Sequence, residues 1–138
     1  MLTPDQLKTI VDHYLIALLW TMPGDEDNEN PGDALSIHCD MGEGTRGEAE
    51  RDCAAFIAAC GPLFTEAIGR DGYDLERFGH DFALTRNGHG DGFWDREELH
   101  ADELGRKLSS LCGWNNGNRT DFPEQNIYIG DDGKAYFD

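Results

Sequence analysis

The sequence predicts an α+β fold: N-terminal helices packed on one face of an antiparallel sheet, the sheet made of two β-hairpins with a helix between them (ββαββ). Three observations carry that expectation. Leu7, Ile10, Val11, Tyr14, Leu15, Leu18 and Leu19 recur at helical spacing and give one broad apolar face. Asn87-Gly88 is the dipeptide best suited to a two-residue type I′ turn, because both central residues take positive φ at little cost. Asn126-Ile127-Tyr128-Ile129, Gly130-Asp131-Asp132-Gly133 and Lys134-Ala135-Tyr136-Phe137 read as strand, turn and strand. At 138 residues the chain fits one domain, 1–138. A chain of that size buries roughly two thirds of its unfolded surface and needs no metal or disulfide to hold a core.

Thr3, Pro4 and Gln6 open the first helix as N-cap, first helical residue and capping-box partner, and Leu2 and Leu7 are placed to staple it. Ile16, Ala17 and Trp20 widen its apolar stripe, so the helix is central to the core or shared with a second copy in a homodimer. Pro23-Gly24 ends it. From about 24 to 47 the chain is an acidic loop, including DEDNENPGD. A loop beyond about 15 residues in a compact domain is usually functional or disordered. Asp25, Glu26, Asp27, Glu29 and Asp33 are its candidate partner contacts, presenting carboxylates as nucleic-acid phosphates would; the plainer reading is a solvated connection. His38 beside Cys39 falls short of a zinc site, which needs further ligands at recognisable spacing. A second helix from about Gly47 to Cys60 carries Ala49, Cys53, Phe56, Ile57 and Cys60 on one face and ends at Gly61-Pro62. Another short helical turn follows from Pro62 to Ile68.

The stretch from Phe78 to Glu98 then predicts the first hairpin. With its turn at Asn87-Gly88, Arg86 pairs with His89, Leu84 with Asp91, Phe82 with Phe93 and His80 with Asp95. Gly88, Gly90 and Gly92 leave one face of the second strand bare, open to close approach by a ligand, another segment or a partner. Asp95 and Glu98 form a second capping box, leading into a helix with Leu104, Leu108, Leu111 and Cys112 buried. Asp102 with Arg106 and Glu103 with Lys107 are its i, i+4 pairs, and Gly113 its C-cap.

Two chemistries can be drawn from that stretch. Asn87, His89, Asp91, Gly92, Asp95 and Glu98 match the spacing of a calcium-binding loop, but an amide and an imidazole stand where calcium prefers carboxylate oxygens. A small-ligand or metal module on the hairpin would use Arg86, His89, Trp94 and Asp95. No Ser, Cys or Lys nucleophile stands at a telling spacing from His80 or His89, so the expectation is a protein without catalytic residues, cofactor or resident metal. Cys39, Cys53, Cys60 and Cys112 lack CxxC spacing. Cys53 and Cys60 would lie about 10 Å apart along one helix, beyond disulfide reach, and read as buried free thiols.

The net charge of −17 excludes a protein that binds nucleic acid directly or docks on an anionic membrane, since both need a basic footprint. It is compatible with plain solubility, with a salt-rich cytoplasm, or with an acidic surface that engages a basic one. No apolar run approaches the ~20 residues of a membrane span, and no signal-peptide pattern opens the chain, so a cytoplasmic location is expected. The string GHDFALTRNGHGDGFWDR at 79–96, with YLIALLW, DCAAFI and YIGDDGKAY around it, resembles a family of small uncharacterised proteins of bacteriophages and prophages that carries GHDFxLTRNGHGxGFWDR. Ala83, where a bulky aromatic is expected, and the extra acidity of the loop depart from that pattern. The resemblance implies a phage origin and action inside a host cell; taken with the net charge of −17, the expected partner is a host protein, including a nucleic-acid-binding or defence protein held by charge mimicry. It brings no catalytic residues.

Overall fold

The computed structural model describes residues 2–20, 41–87, 92–112, 122 and 127–137. Those residues form a mostly helical fold: α1 (Pro4–Trp20), α2 (Thr45–Cys60), α3 (Pro62–Ile68), α4 (Leu75–Arg86) and α5 (Leu104–Leu111). Three 3-10 turns, Phe93–Asp95, Glu97–Leu99 and Ala101–Glu103, connect toward α5, and β1 (Ile127–Ile129) pairs antiparallel with β2 (Ala135–Phe137). The ββαββ sheet is therefore not formed.

Its first hairpin is replaced by α4. Asp74 caps the helix by accepting a hydrogen bond from the Arg77 N–H at 2.9 Å, and Leu75, Phe78, Phe82 and Thr85 then follow at helical spacing. Asn87, expected at the hairpin turn, is the helix C-cap, with its N–H donating to the carbonyls of Ala83 and Thr85. Asn-Gly serves either end: it supports a tight turn between strands and also stops a helix. The deciding signal is the packing of Phe78 and Phe82 on one helical face, which the alternating register would have placed on strands. His89 and Asp91 of the expected cross-strand pairs lie outside the described residues. Phe82 and Phe93 each pack on Phe56 in the core rather than facing each other across a ladder.

The core is aromatic. Phe56 of α2 stacks on Phe82 at 4.2 Å between ring centroids and 2° between planes, and the edge of Phe122 meets both rings. Phe78 and Phe93 close the cluster, and Tyr14 stacks on Phe82 from α1 at 5.2 Å. Helices α1 and α4 form the largest helix pair, and Gly79 sets their separation. A Cβ there would lie 2.2 Å from the Ile10 carbonyl oxygen, so any side chain would push the helices apart. The broad face of α1 is buried within this chain, leaving Ile16 and Trp20 as its exposed large apolar residues.

Other expectations meet the structure element by element. The Thr3–Gln6 capping box forms in both directions, at 2.9 and 3.1 Å. The second helix begins at Thr45 rather than Gly47, and Ala49, Cys53, Phe56 and Cys60 face the core. The C-terminal hairpin forms, with Gly133 at φ 80° closing its turn, and Met41 bridges β2 in parallel on the other side. Asp95 and Glu98 do not open one helix. Asp102 and Glu103 adopt left-handed φ of 59° and 57°, breaking the segment into 3-10 turns before α5. That break redirects the expected ion pairs: Glu103 reaches Arg106 at 3.6 Å and Asp102 lies 4.0 Å from Arg70.

Candidate functional site

Helix α4 positions the charged groups of the interior and one wall of a cleft. At its C-terminal end the Arg86 guanidinium is buried, donating to the Tyr14 hydroxyl at 2.9 Å and to Asp52 at 2.8 Å. It also lies 5.4 Å over the Phe82 ring, a cation–π distance. Burial opposes the Arg86 charge, but Tyr14 and Asp52 outweigh it and hold its pKa above the ordinary arginine value. Burial pushes the Tyr14 hydroxyl up, so Tyr14 accepts the Arg86 hydrogen bond in its neutral form.

One helical turn earlier, Asp81 is buried and accepts a forked pair of hydrogen bonds from Arg96, Nε at 2.8 Å and Nη2 at 2.9 Å. The Tyr73 hydroxyl donates to the same carboxylate at 2.8 Å. Burial raises the Asp81 pKa against the pull of Arg96, and the hydrogen bonds to Asp81 raise that of Arg96. A forked guanidinium–carboxylate pair adds geometric specificity to charge, so Arg96 locks the segment after Phe93 against α4. Thr85 adds a second tie: its hydroxyl accepts the Phe93 N–H at 3.0 Å.

The glycine-rich strand was expected to receive a close approach. At Gly92 the approaching group is this chain's own: a Cβ there would meet Thr85 Oγ1 at 2.2 Å and Trp94 at 2.8 Å. Gly88 and Gly90 lie outside the described residues. The 79–96 string is thus largely a folding signature, with Gly79, Asp81, Phe82, Thr85, Arg86, Gly92, Phe93 and Arg96 each tied into the interior. His80 and Arg96 are its members that line a cleft.

That cleft opens between α1 and α4, has a volume of about 280 Å³, and is lined by His13, Glu76, Arg77, His80 and Arg96. Glu76 and Arg77 lie one turn of α4 before His80, and His13 faces them from α1 with Nε2 3.9 Å from the Glu76 carboxylate. Asp74 holds Arg77 at 2.6 Å. The exposed Trp20 ring lies 6.2 Å from the His80 ring.

Of the residues singled out in sequence, Arg86 is a core group, so it leaves the ligand set, while Asp95 is exposed on a 3-10 turn beside a half-buried Trp94. Asn87 is a helix cap and Glu98 lies beside Gly72; His89 and Asp91 lie outside the described residues. Asp25, Glu26, Asp27, Glu29 and Asp33 also lie outside them, as does Cys39. Among the described residues no three His, Cys, Asp or Glu side chains are placed to hold a metal ion. Cys53, Cys60 and Cys112 are free and buried; burial pushes the Cys60 thiol up to about 12. None is poised as a nucleophile. No helix among the described residues is long and apolar enough to cross a membrane. Sequence reasoning missed Asp52, Tyr73, Asp81 and Arg96, whose partners are distant in sequence, and Arg77, which becomes visible beside His80 once 75–86 is read as a helix. Comparison of the chain with family models, curated proteins and solved structures returns no match.

Proposed function

We propose that this protein is a non-enzymatic acidic binding protein that occupies a basic, nucleic-acid-binding surface of a host protein, its carboxylates standing in for phosphates. The observation that carries this reading is the distribution of charge. Of the ten lysines and arginines among the described residues, seven face a carboxylate of the same chain: Lys8, Arg46, Arg70, Arg77, Arg86, Arg96 and Arg106. Arg86 pairs with Asp52 and Arg96 with the buried Asp81. The excess of acid therefore lies outside, as in the segment 95–103, where Asp95, Glu97, Asp102 and Glu103 are exposed and the single arginine is turned onto Asp81. A surface with a large excess of carboxylates repels nucleic acid and steers toward cationic surfaces. The resemblance to phage proteins supports a partner in a bacterial host, and the acidic 24–47 segment supplies further carboxylates at Asp25, Glu26, Asp27, Glu29 and Asp33.

An affinity pull-down from bacterial lysate tests this at low and high salt, with retained proteins identified by mass. The expected result is a nucleic-acid-binding protein held at low salt and released at high salt, because screening shortens exposed charge interactions to about 8 Å at physiological ionic strength. Retention that survives high salt, or retention of no protein in either condition, contradicts charge mimicry.

A further inference from the structure

We propose that the outer edge of β1 and the exposed ring of Tyr128 form the docking site for an extended, arginine-bearing segment of the partner protein. The inference deepens the charge-mimicry reading and rests on it for the partner's basic character. Strand β2 is covered on both sides, by β1 and by Met41, which bridges to Ala135. The Ala135 carbonyl, turned away from β1, accepts the Gly42 N–H at 2.7 Å and the Thr45 hydroxyl at 3.0 Å. Among the described residues β1 pairs with β2 alone. Ile129 stands opposite Ala135, in a pair whose main-chain groups point away from each other, so the Ile129 N–H and carbonyl face outward. Such an edge is a template for a further strand.

An ordered aromatic pair flanks that edge. The Tyr136 hydroxyl donates to Asp132 at 2.5 Å, and its ring lies against Gly42 and Gly130, where a Cβ would come within 2.1 and 2.9 Å of it. Tyr128 stacks on this held ring, centroids 5.8 Å apart and planes at 27°, and remains 48% exposed. Little side-chain ordering is left to lose when a partner arrives. Charge then selects the occupant. Asp131 and Asp132 are exposed in the turn against Lys134, and the exposed Glu43 acts electrostatically on Tyr136, so this end of the hairpin is net acidic. A second copy is disfavoured, because each chain carries −17. Between the two cationic side chains, the planar guanidinium stacks on an aromatic face, whereas the lysine ammonium is a compact, strongly hydrated charge.

The test is titration of the full chain with the blocked peptide TRTRTRT and its lysine counterpart TKTKTKT at physiological ionic strength, followed by amide NMR shifts and calorimetry. Expected are shifts centred on Ile127, Tyr128 and Ile129, and about threefold tighter binding of the arginine peptide, the size of one exposed cation–aromatic contact. Tyr128→Thr, which keeps strand propensity and net charge, should remove that preference while leaving the lysine peptide within about twofold. Equal affinity for the two peptides, shifts centred on 95–103, or an undiminished arginine preference in folded Tyr128→Thr overturns the proposal. Should Tyr128→Thr fail to fold, Tyr128→Leu is read by the same criterion. A dimer in sedimentation that Tyr128→Thr abolishes would assign the edge to a second copy and also overturn it. Failure here beside a salt-released partner in the pull-down removes the hairpin site and leaves charge mimicry standing. Arginine-selective binding at the hairpin with no partner retained from lysate removes charge mimicry and leaves the site standing.

Discussion

Two clusters on α4 use the same three residue types and are inverted with respect to water. In the first, Arg86 is the buried member, its side chain 2% exposed, and Asp52 reaches solvent at 33%; Tyr14 completes it. In the second, Asp81 is fully buried at 0% and Arg96 reaches solvent at 28%, with Tyr73 behind it. The inversion separates their roles. The Arg86 cluster braces α4 against α1 and α2, its cation buried between them. The Arg96 cluster braces the chain after Phe93 and also offers a guanidinium to a cleft. A buried ion pair is costly to strip of one partner, whereas its net worth against an apolar replacement is small. Which member is exposed therefore decides which substitution does harm.

The largest effects are expected where a buried charge loses its solvent-side partner. Arg96→Met strands Asp81, and Asp52→Ala strands Arg86; each should cost about 3–5 kcal/mol in urea unfolding. The reciprocal changes remove the buried charge itself and leave a partner that water can reach. Arg86→Met and Asp81→Asn should each cost about 1–3 kcal/mol by the same measurement. Equal costs within a pair, or the reverse order, would break the contrast between the clusters.

A smaller effect sharpens it from the surface side. Asp12, which meets Lys8 at 3.2 Å and also pairs with Arg46, lies on the outside of α1. Burial works to raise its pKa, but hydrogen bonds from Arg46 and Lys8 outweigh it and hold the carboxyl below its ordinary value. The unfolded chain then takes up this proton at higher pH than the folded one. The stabilisation is complete above the ordinary carboxylate value near 3.8 and is lost as pH falls through the lower folded value. Asp12→Asn should cost under about 1 kcal/mol at pH 7 and remove that part of the acid dependence, read from unfolding curves across the acid range. An unchanged acid profile in the variant would deny Asp12 the role.

What could be read from the sequence divides along the same line. Elements set by neighbours three or four residues apart were legible: the Thr3–Gln6 box, the buried face of α2, and the turn between β1 and β2. The 78–98 segment was not, because Asn87-Gly88 satisfies two rules and the choice rests on Phe78 and Phe82 finding Phe56 and Phe93 in the core. Asp95-x-x-Glu98 looked like a cap, yet the left-handed Asp102 and Glu103 interrupt the helix it would have opened. Neither Arg–Asp–Tyr cluster was visible, since Tyr14 and Asp52 reach Arg86 from other helices and Arg96 reaches Asp81 across a turn segment. The cleft followed the same logic: His80 and Arg77 share a face only once the helix is known.

The central claim is that the interior of the 79–96 string builds the fold while the exposed carboxylates make the contact. The most direct measurement compares partner retention from lysate by three proteins at equal folded concentration: the unaltered chain, Arg86→Met, and a charge reversal at Glu97, Asp102 and Glu103 combined with Asp25, Glu26, Asp27 and Glu29. The account predicts retention by the first two and loss by the third. Retention by the charge-reversed protein together with loss in folded Arg86→Met would contradict it.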